Sequence, residues 1–231
     1  MNHIVSLGSR LRAHVKNYMY KYCLTFCGMQ SLLQAHLQFC TEETTRISTM
    51  TDSDNAPTTL HRTSTITLRE ITENNWRPVA NLRVSPAQAG NLASNPMSMV
   101  ERHYSEDAWM RLVYADSTIV GFLMMAIWPP TDEYYIWRFM IDEKYRGLGF
   151  GCTVVRMAIP YVRKTYHGAK CLGVMSTPKE GLQRGSKVVK AEDSPCDFYI
   201  RLGFRQTAEP DEDGEIMMEI NLAATTQSSI M

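Results

Sequence analysis

Six consecutive residues of this chain, Arg146-Gly147-Leu148-Gly149-Phe150-Gly151, have the types and spacing to bind an anion. An apolar run, Tyr134-Tyr135-Ile136-Trp137-Arg138-Phe139-Met140-Ile141, precedes them, and a helix-like run beginning Cys152-Thr153-Val154-Val155 follows. A strand, a glycine turn and a helix in that order aim unpaired backbone N–H groups and the positive end of a helix dipole at one point. Glycines let a phosphate come close to the backbone, because no Cβ stands in the way. The glycines recur as G-x-G-x-G, not in the G-x-G-x-x-G spacing of a dinucleotide fingerprint, and no Gly-Lys-Ser/Thr follows as a P-loop requires. The same pattern also suits an ordinary strand–helix turn.

Two further groups of residues can do chemistry. Glu133, Tyr135 and Trp137 open the apolar strand with a carboxylate and two aromatic rings, which suits a cationic amine through ion pairing and cation–π contact. The alternation of Tyr135, Trp137 and Phe139 equally suits a strand face packed on a helix. Tyr199 sits in Phe198-Tyr199-Ile200-Arg201-Leu202-Gly203-Phe204. Phe198 and Leu202, four apart, can take a core face and leave Tyr199 offset from it. The six cysteines (Cys23, Cys27, Cys40, Cys152, Cys171, Cys196) form no C-x-x-C pair and have no partnering histidine cluster. They read as free thiols, with no metal site and no disulfide framework.

The elements that must position these residues follow from periodicity. Thr65–Glu70 alternates as a strand. Asn74-Asn75 can cap a helix from Trp76 through Val84, and a second helix covers Met97 to Ala108. Leu112–Ala115 and Ile119–Ala126 flank Asp116-Ser117 as a hairpin. Pro129–Asp132 turns the chain into the Tyr134–Ile141 strand. A helix runs from the glycine turn to about Tyr166, with Pro160 kinking or shortening its end. Cys171–Ser176 is a strand, Phe198–Leu202 a helix stopped at Gly203, and Glu215–Leu222 a last strand after the Asp213-Gly214 turn. The fold class is α+β, an α/β/α sandwich on a central, mixed, mostly antiparallel sheet.

Composition limits the function. The 231 residues carry 24 basic and 24 acidic side chains, so no net positive field points to nucleic acid. No apolar run approaches the ~20 residues of a membrane span. Met1 to Thr41 lacks Asp and Glu but holds Arg10, Arg12, Lys16 and Lys21. That pattern reads as a mitochondrial transit peptide, as an extension upstream of a second start at Met50, or as a further folded segment. Thr41 to Thr65, rich in Ser, Thr, Asp and Pro, reads as a linker. The expected organisation is an N-terminal extension or targeting segment over 1–64, a domain over 65–222 and a flexible tail over 223–231. The expected location is the cytoplasm, or the mitochondrion if the leader is a transit peptide.

From about Ile66 to Leu222 the chain resembles the GNAT N-acetyltransferases, and within them the diamine and polyamine acetyltransferase-like branch. The resemblance rests on four segments in order: Leu68–Trp76, Ile136–Asp142 with Tyr145–Gly151, Ser194–Phe204, and Asp213–Met218. It implies a GNAT-like sandwich that moves an acetyl group from acetyl-CoA to a primary amine of a small diamine or polyamine, by direct attack in a ternary complex. It implies that Arg146, Gly147, Leu148, Gly149, Phe150 and Gly151 hold the pyrophosphate, that Phe139, Met140 and Ile141 offer main-chain groups to the pantetheine arm, and that Tyr199 is the general acid. A homodimer is compatible with it. Two alternatives stand beside it: acetylation of protein lysines or N-termini, and acyl-CoA binding without turnover. The chain departs from the family where Glu192-Asp193-Ser194-Pro195 replaces a pantetheine-binding asparagine. Residues 177–193, with Lys179, Arg184, Lys187 and Lys190, form a long segment that reads as a solvated loop or as a lid. No general base is assigned among Asp132, Glu133, Asp142 and Glu143.

Overall fold

The computed structural model describes residues 59–223, apart from residues 92, 185 and 186. Nearly all of the targeting or extension segment and the linker, and all of the tail beyond Ala223, lie outside the described residues. Seven strands form one sheet: β1 (Ile66–Arg69), β2 (Ala108–Ala115), β3 (Thr118–Trp128), β4 (Glu133–Ile141), β5 (Cys171–Ser176), β8 (Arg205–Gln206) and β9 (Ile216–Asn221). Their spatial order is β1-β2-β3-β4-β5-β9-β8. The β4–β5 pair is parallel and the other neighbours are antiparallel.

Helices cover both faces, as the period-two pattern of the strands demands. On one face α3 (Phe150–Thr165) and α4 (Cys196–Arg201) bury Val154, Val155, Ala158, Val162, Cys196 and Tyr199 against Leu123, Met125, Ile136, Leu172 and Val174. On the other face, α1 (Trp76–Ala80) contributes Val79 to a second cluster with Met110, Leu112, Phe122, Met124 and Met140. Met99 of α2 (Asn95–Tyr104) packs on that cluster from its edge. Leu60 is buried in the first cluster, so the folded unit begins upstream of Thr65.

Several elements differ from their sequence-based bounds for local reasons. Helix α1 ends at Ala80, well before Val84, and Asn75 does not cap it. The Asn75 side chain instead accepts from the Thr72 N–H (2.7 Å) and donates to the Glu70 carbonyl (2.9 Å), closing a turn after β1. Helix α2 starts at Asn95 behind a Ser94 N-cap, with Pro96 in its first turn, and stops at Tyr104. Its expected last residue, Ala108, instead opens β2, whose Ala108 and Met110 side chains are both buried in the second cluster. The segment after β5 is not a plain loop: β6 (Gly181–Arg184) and β7 (Lys187–Lys190) pair as a separate hairpin. Helix α3 carries Pro160 within it and ends at Thr165, one residue from the expected end.

Candidate active site

Strand β4 is the axis of the site, and a single extra residue shapes it. Against β3, Met125 pairs with Ile136 and Met124 with Arg138, so Trp137 is the unopposed residue of a β-bulge. The bulge reverses the alternation. Tyr134 and Ile136 point into the first core before it, whereas Phe139 and Ile141 pack there after it. Against β5 the ladder holds only Tyr135↔Gly173 and Ile136↔Val174. Beyond Ile136 the two parallel strands part, and the edge of β4 from Arg138 to Ile141 borders open space.

That space is a cleft of about 690 Å³. One bank consists of Ile136–Ile141, the glycine turn, the start of α3, Val84 and Gln88. Asp142 holds this bank together: it is 4% exposed, and its carboxylate accepts from the Arg83 N–H (2.9 Å) and the Lys144 N–H (3.0 Å). Gly147 and Gly149 have φ of +78° and +85°, a conformation that favours glycine, and a Cβ at either would meet nothing within 4 Å. The turn is therefore bent by glycine and open in front. Gly149 is the N-cap of α3 and has no side chain to bond the first helical N–H groups, which are left for an anion. Two arginines flank the turn. Arg146 donates to Ser85 Oγ (3.3 Å), and Arg62 donates to the Gly147 carbonyl (3.0 Å).

The other bank is built by the chain returning from β5. Ser176 and Thr177 are buried. The Thr177 carbonyl accepts from Ser176 Oγ (3.0 Å) and Ser194 Oγ (2.9 Å), and Ser194 Oγ in turn accepts the Cys196 N–H (3.1 Å). These bonds seat α4, and with it Tyr199, at the cleft. Glu192, Asp193, Asp197 and Glu215 also line it. Two of these have lysine partners, Asp197 with Lys179 (3.1 Å) and Glu192 with Lys190 (3.6 Å). Strand β7 packs against the 3-10 turn Pro86–Asn91, which follows the Val84 bank. Leu182 of β6 lies beside Gly214. The hairpin is thus a bridge between the banks and not a solvated loop.

The structure gathers most of the residues singled out from sequence. Phe139, Met140, Ile141, Arg146, Gly147, Gly149, Phe150, Gly151, Trp137 and Tyr199 all line the cleft. Leu148 does not; its side chain packs on the first core and fastens the turn there. Glu133 and Tyr135 do not line it either. Glu133 lies at the far end of β4 opposite Trp128, and the Tyr135 ring is pressed over Gly173, where a Cβ would meet it at 2.5 Å. Burial raises the Tyr135 pKa, and the nearby carboxylates Glu133 and Glu219 add to the rise.

Tyr199 is not offset from the core as the Phe198/Leu202 spacing suggested. It is only 7% exposed and edge-on to both Phe198 and Phe204, while Phe198 stacks on Phe139 across the cleft (6.2 Å). Desolvation raises its pKa, so the hydroxyl holds its proton well past the ordinary tyrosine range. Sequence reasoning missed Arg138 and Glu101. Arg138, 8% exposed, lines the cleft, ion-pairs with Glu101 of α2 and donates to the buried Ser98 Oγ (3.3 Å). The available signal was an arginine inside an otherwise apolar strand, which requires a buried partner.

Comparison with known proteins agrees with this geometry. The acetyltransferase (GNAT) family profile matches residues 69–204. The chain is 26% identical over 162 residues to the spermine/spermidine N(1)-acetyltransferase of Bacillus subtilis (strain 168), covering 66% of this chain and 96% of that protein. Among solved structures it is similar in fold to an aminoglycoside 6'-N-acetyltransferase complexed with coenzyme A (TM-score 0.52, 14% identity, 68% of this chain and 98% of that one). It is also similar to an acetyltransferase from Thermus thermophilus (TM-score 0.50, 15% identity, 68% and 97%). The chain belongs to the GNAT family of N-acetyltransferases, whose acetyl donor is acetyl-CoA.

Proposed function

We propose that the protein acetylates a primary amine of a small diamine or polyamine, with both substrates bound in the cleft together. The observation that carries the acceptor class is the contrast between the banks: Arg146 and a helix N-terminus on one, with Arg62 behind the turn, and on the other the four carboxylates Glu192, Asp193, Asp197 and Glu215 against the one arginine Arg201. A phosphate-bearing donor suits the first and a polycation suits the second. The likeness to a spermine/spermidine acetyltransferase supports the same acceptor.

The chain fits CoA at each of its parts. The open glycine turn receives the pyrophosphate on backbone N–H groups, with Arg146 beside it. The edge of β4 beyond the bulge, parted from β5, offers Phe139–Ile141 main-chain groups to the amides of the pantetheine arm, as an added strand would find them. When bound, the cofactor supplies an acetyl thioester. The N–H groups of Phe139–Ile141 would polarise the carbonyl being attacked, beside the stacked rings of Phe139 and Phe198. Tyr199, held protonated by its burial, is the proton donor to the departing sulfur, and the proton that the attacking amine releases passes through solvent in the cleft and restores the phenol. Trp137 borders the acceptor end of the strand.

The test is thiol release from acetyl-CoA by the full chain across diamines, polyamines, free amino acids and a lysine peptide. Turnover should require a diamine or polyamine. Turnover on the peptide with none on small amines would overturn the acceptor class, and binding of CoA without any turnover would favour a non-catalytic module.

A further inference from the structure

The phosphate turn has a support outside the span that matches the family. That span begins at residue 69, yet the chain before β1 is ordered and reaches the turn. Leu60 is anchored in the first core. His61–Ser64 forms a closed turn, with the Ser64 N–H donating to the His61 carbonyl (2.9 Å) and the His61 N–H to Ser64 Oγ (3.1 Å). The Thr65 N–H then bonds Asp116 Oδ1 (2.8 Å). Arg62 lies between these fixed points, and its guanidinium bonds the Gly147 carbonyl at 3.0 Å.

We propose that Arg62 is a positioning residue of the phosphate turn. In a trans peptide the carbonyl and the N–H that follows it point in opposite directions. A guanidinium fixed on the Gly147 oxygen therefore orients the same peptide's N–H, that of Leu148, away from Arg62. Gly147 most needs such fixing, because a glycine at φ +78° has no side chain to restrict the flanking peptides. The bond also polarises that peptide, which makes its N–H a stronger donor, and it adds a positive charge to a turn already next to Arg146. The residue thus strengthens the anion site through the conformation and charge of the turn, from the side opposite the phosphate. The inference rests on CoA binding at this turn and not on the identity of the acceptor amine.

The test is equilibrium binding of CoA, 3'-dephospho-CoA and pantetheine to the full chain carrying Arg62→Ala or Arg62→Lys. Arg62→Ala should weaken CoA and dephospho-CoA alike, by about 5–20-fold at low salt and less at high salt. Pantetheine, which has no phosphate, should bind as it does to the unaltered protein, and Arg62→Lys should recover part of the loss. Unchanged CoA affinity in Arg62→Ala would overturn the proposal. So would an equal loss for pantetheine, which would mark a general loss of structure, or a loss for CoA alone, which would place Arg62 on the 3'-phosphate instead. Failure of every amine in the acetylation panel would leave the binding result intact, so the two readings fail separately.

Discussion

The two banks of the cleft are made by different means. The β4 bank recognises through its backbone: a bulge at Trp137, an unpaired strand edge, two glycines with positive φ and a helix start without a side-chain cap. The opposite bank presents side chains: Glu192 and Asp193 on the 3-10 turn Ala191–Asp193, Asp197 and Tyr199 on a six-residue helix, and Glu215 just before β9. A backbone site needs a particular conformation and tolerates many side chains, whereas a side-chain site can change its ligand by single substitutions. The contrast implies that the donor half is fixed by the fold, and that the acceptor half is where this protein is particular.

The largest effect should come from placing a charge in the backbone site. Gly149→Asp puts a carboxylate where the proposed pyrophosphate site lies, at a residue held at φ +85°. Gly149→Asn imposes the same backbone demand without the charge, and both residues tolerate that conformation better than most. CoA affinity should fall about 100-fold or more in the Asp variant and only several-fold in the Asn variant, as like charges repel strongly at close range. Equal losses in the two, measured by titration calorimetry, would mean that conformation and not charge governs this bank.

On the other bank, Tyr199→Phe removes one hydroxyl from a buried ring and should lower kcat at least ~10-fold while CoA affinity holds. The pH profile sharpens this. Because burial raises the folded-state pKa, the phenol stays protonated above the ordinary tyrosine value of about 10, and kcat should not decline there through Tyr199. The same shift has a cost in stability: above that pH the unfolded chain loses a proton that the native state keeps, so stability falls as pH rises. Retained kcat in Tyr199→Phe would remove side-chain chemistry from the argument for this bank.

How much of each bank was legible in the sequence follows from the same difference. A strand, a glycine turn and a helix are local patterns, so the donor bank could be read to within a residue or two, with Leu148 alone turned to the core. The bulge could not be read, because it depends on the register with Met124 and Met125 across the sheet. Without it, plain alternation puts Glu133 and Tyr135 on one face with a cleft that lies past the reversal. The Arg138–Glu101 pair joins residues 37 positions apart in sequence, and the hairpin bridge depends on the distant Pro86–Asn91 turn. Tyr199 was found through its motif but misplaced by helical spacing, since a helix as short as α4 takes its burial from its neighbours, Phe198 and Phe204.

The smallest effect should be the most informative about the acceptor. Glu192 and Asp193 line the cleft from a solvent-accessible turn, and Lys190 partly neutralises Glu192. Each charge is therefore screened, and no single carboxylate should dominate. Replacing both, Glu192→Gln with Asp193→Asn, keeps shape and hydrogen bonding while removing two negative charges. KM for a polyamine should rise about 3–10-fold at low salt, with the rise shrinking as salt increases and kcat changing little. KM for a monoamine should move less than KM for a polyamine, because only the longer cation reaches this bank with a second charge. If the two acceptors shift equally, the carboxylates act on general charge balance and not on the far ammonium, and the acidic bank no longer argues for a polyamine.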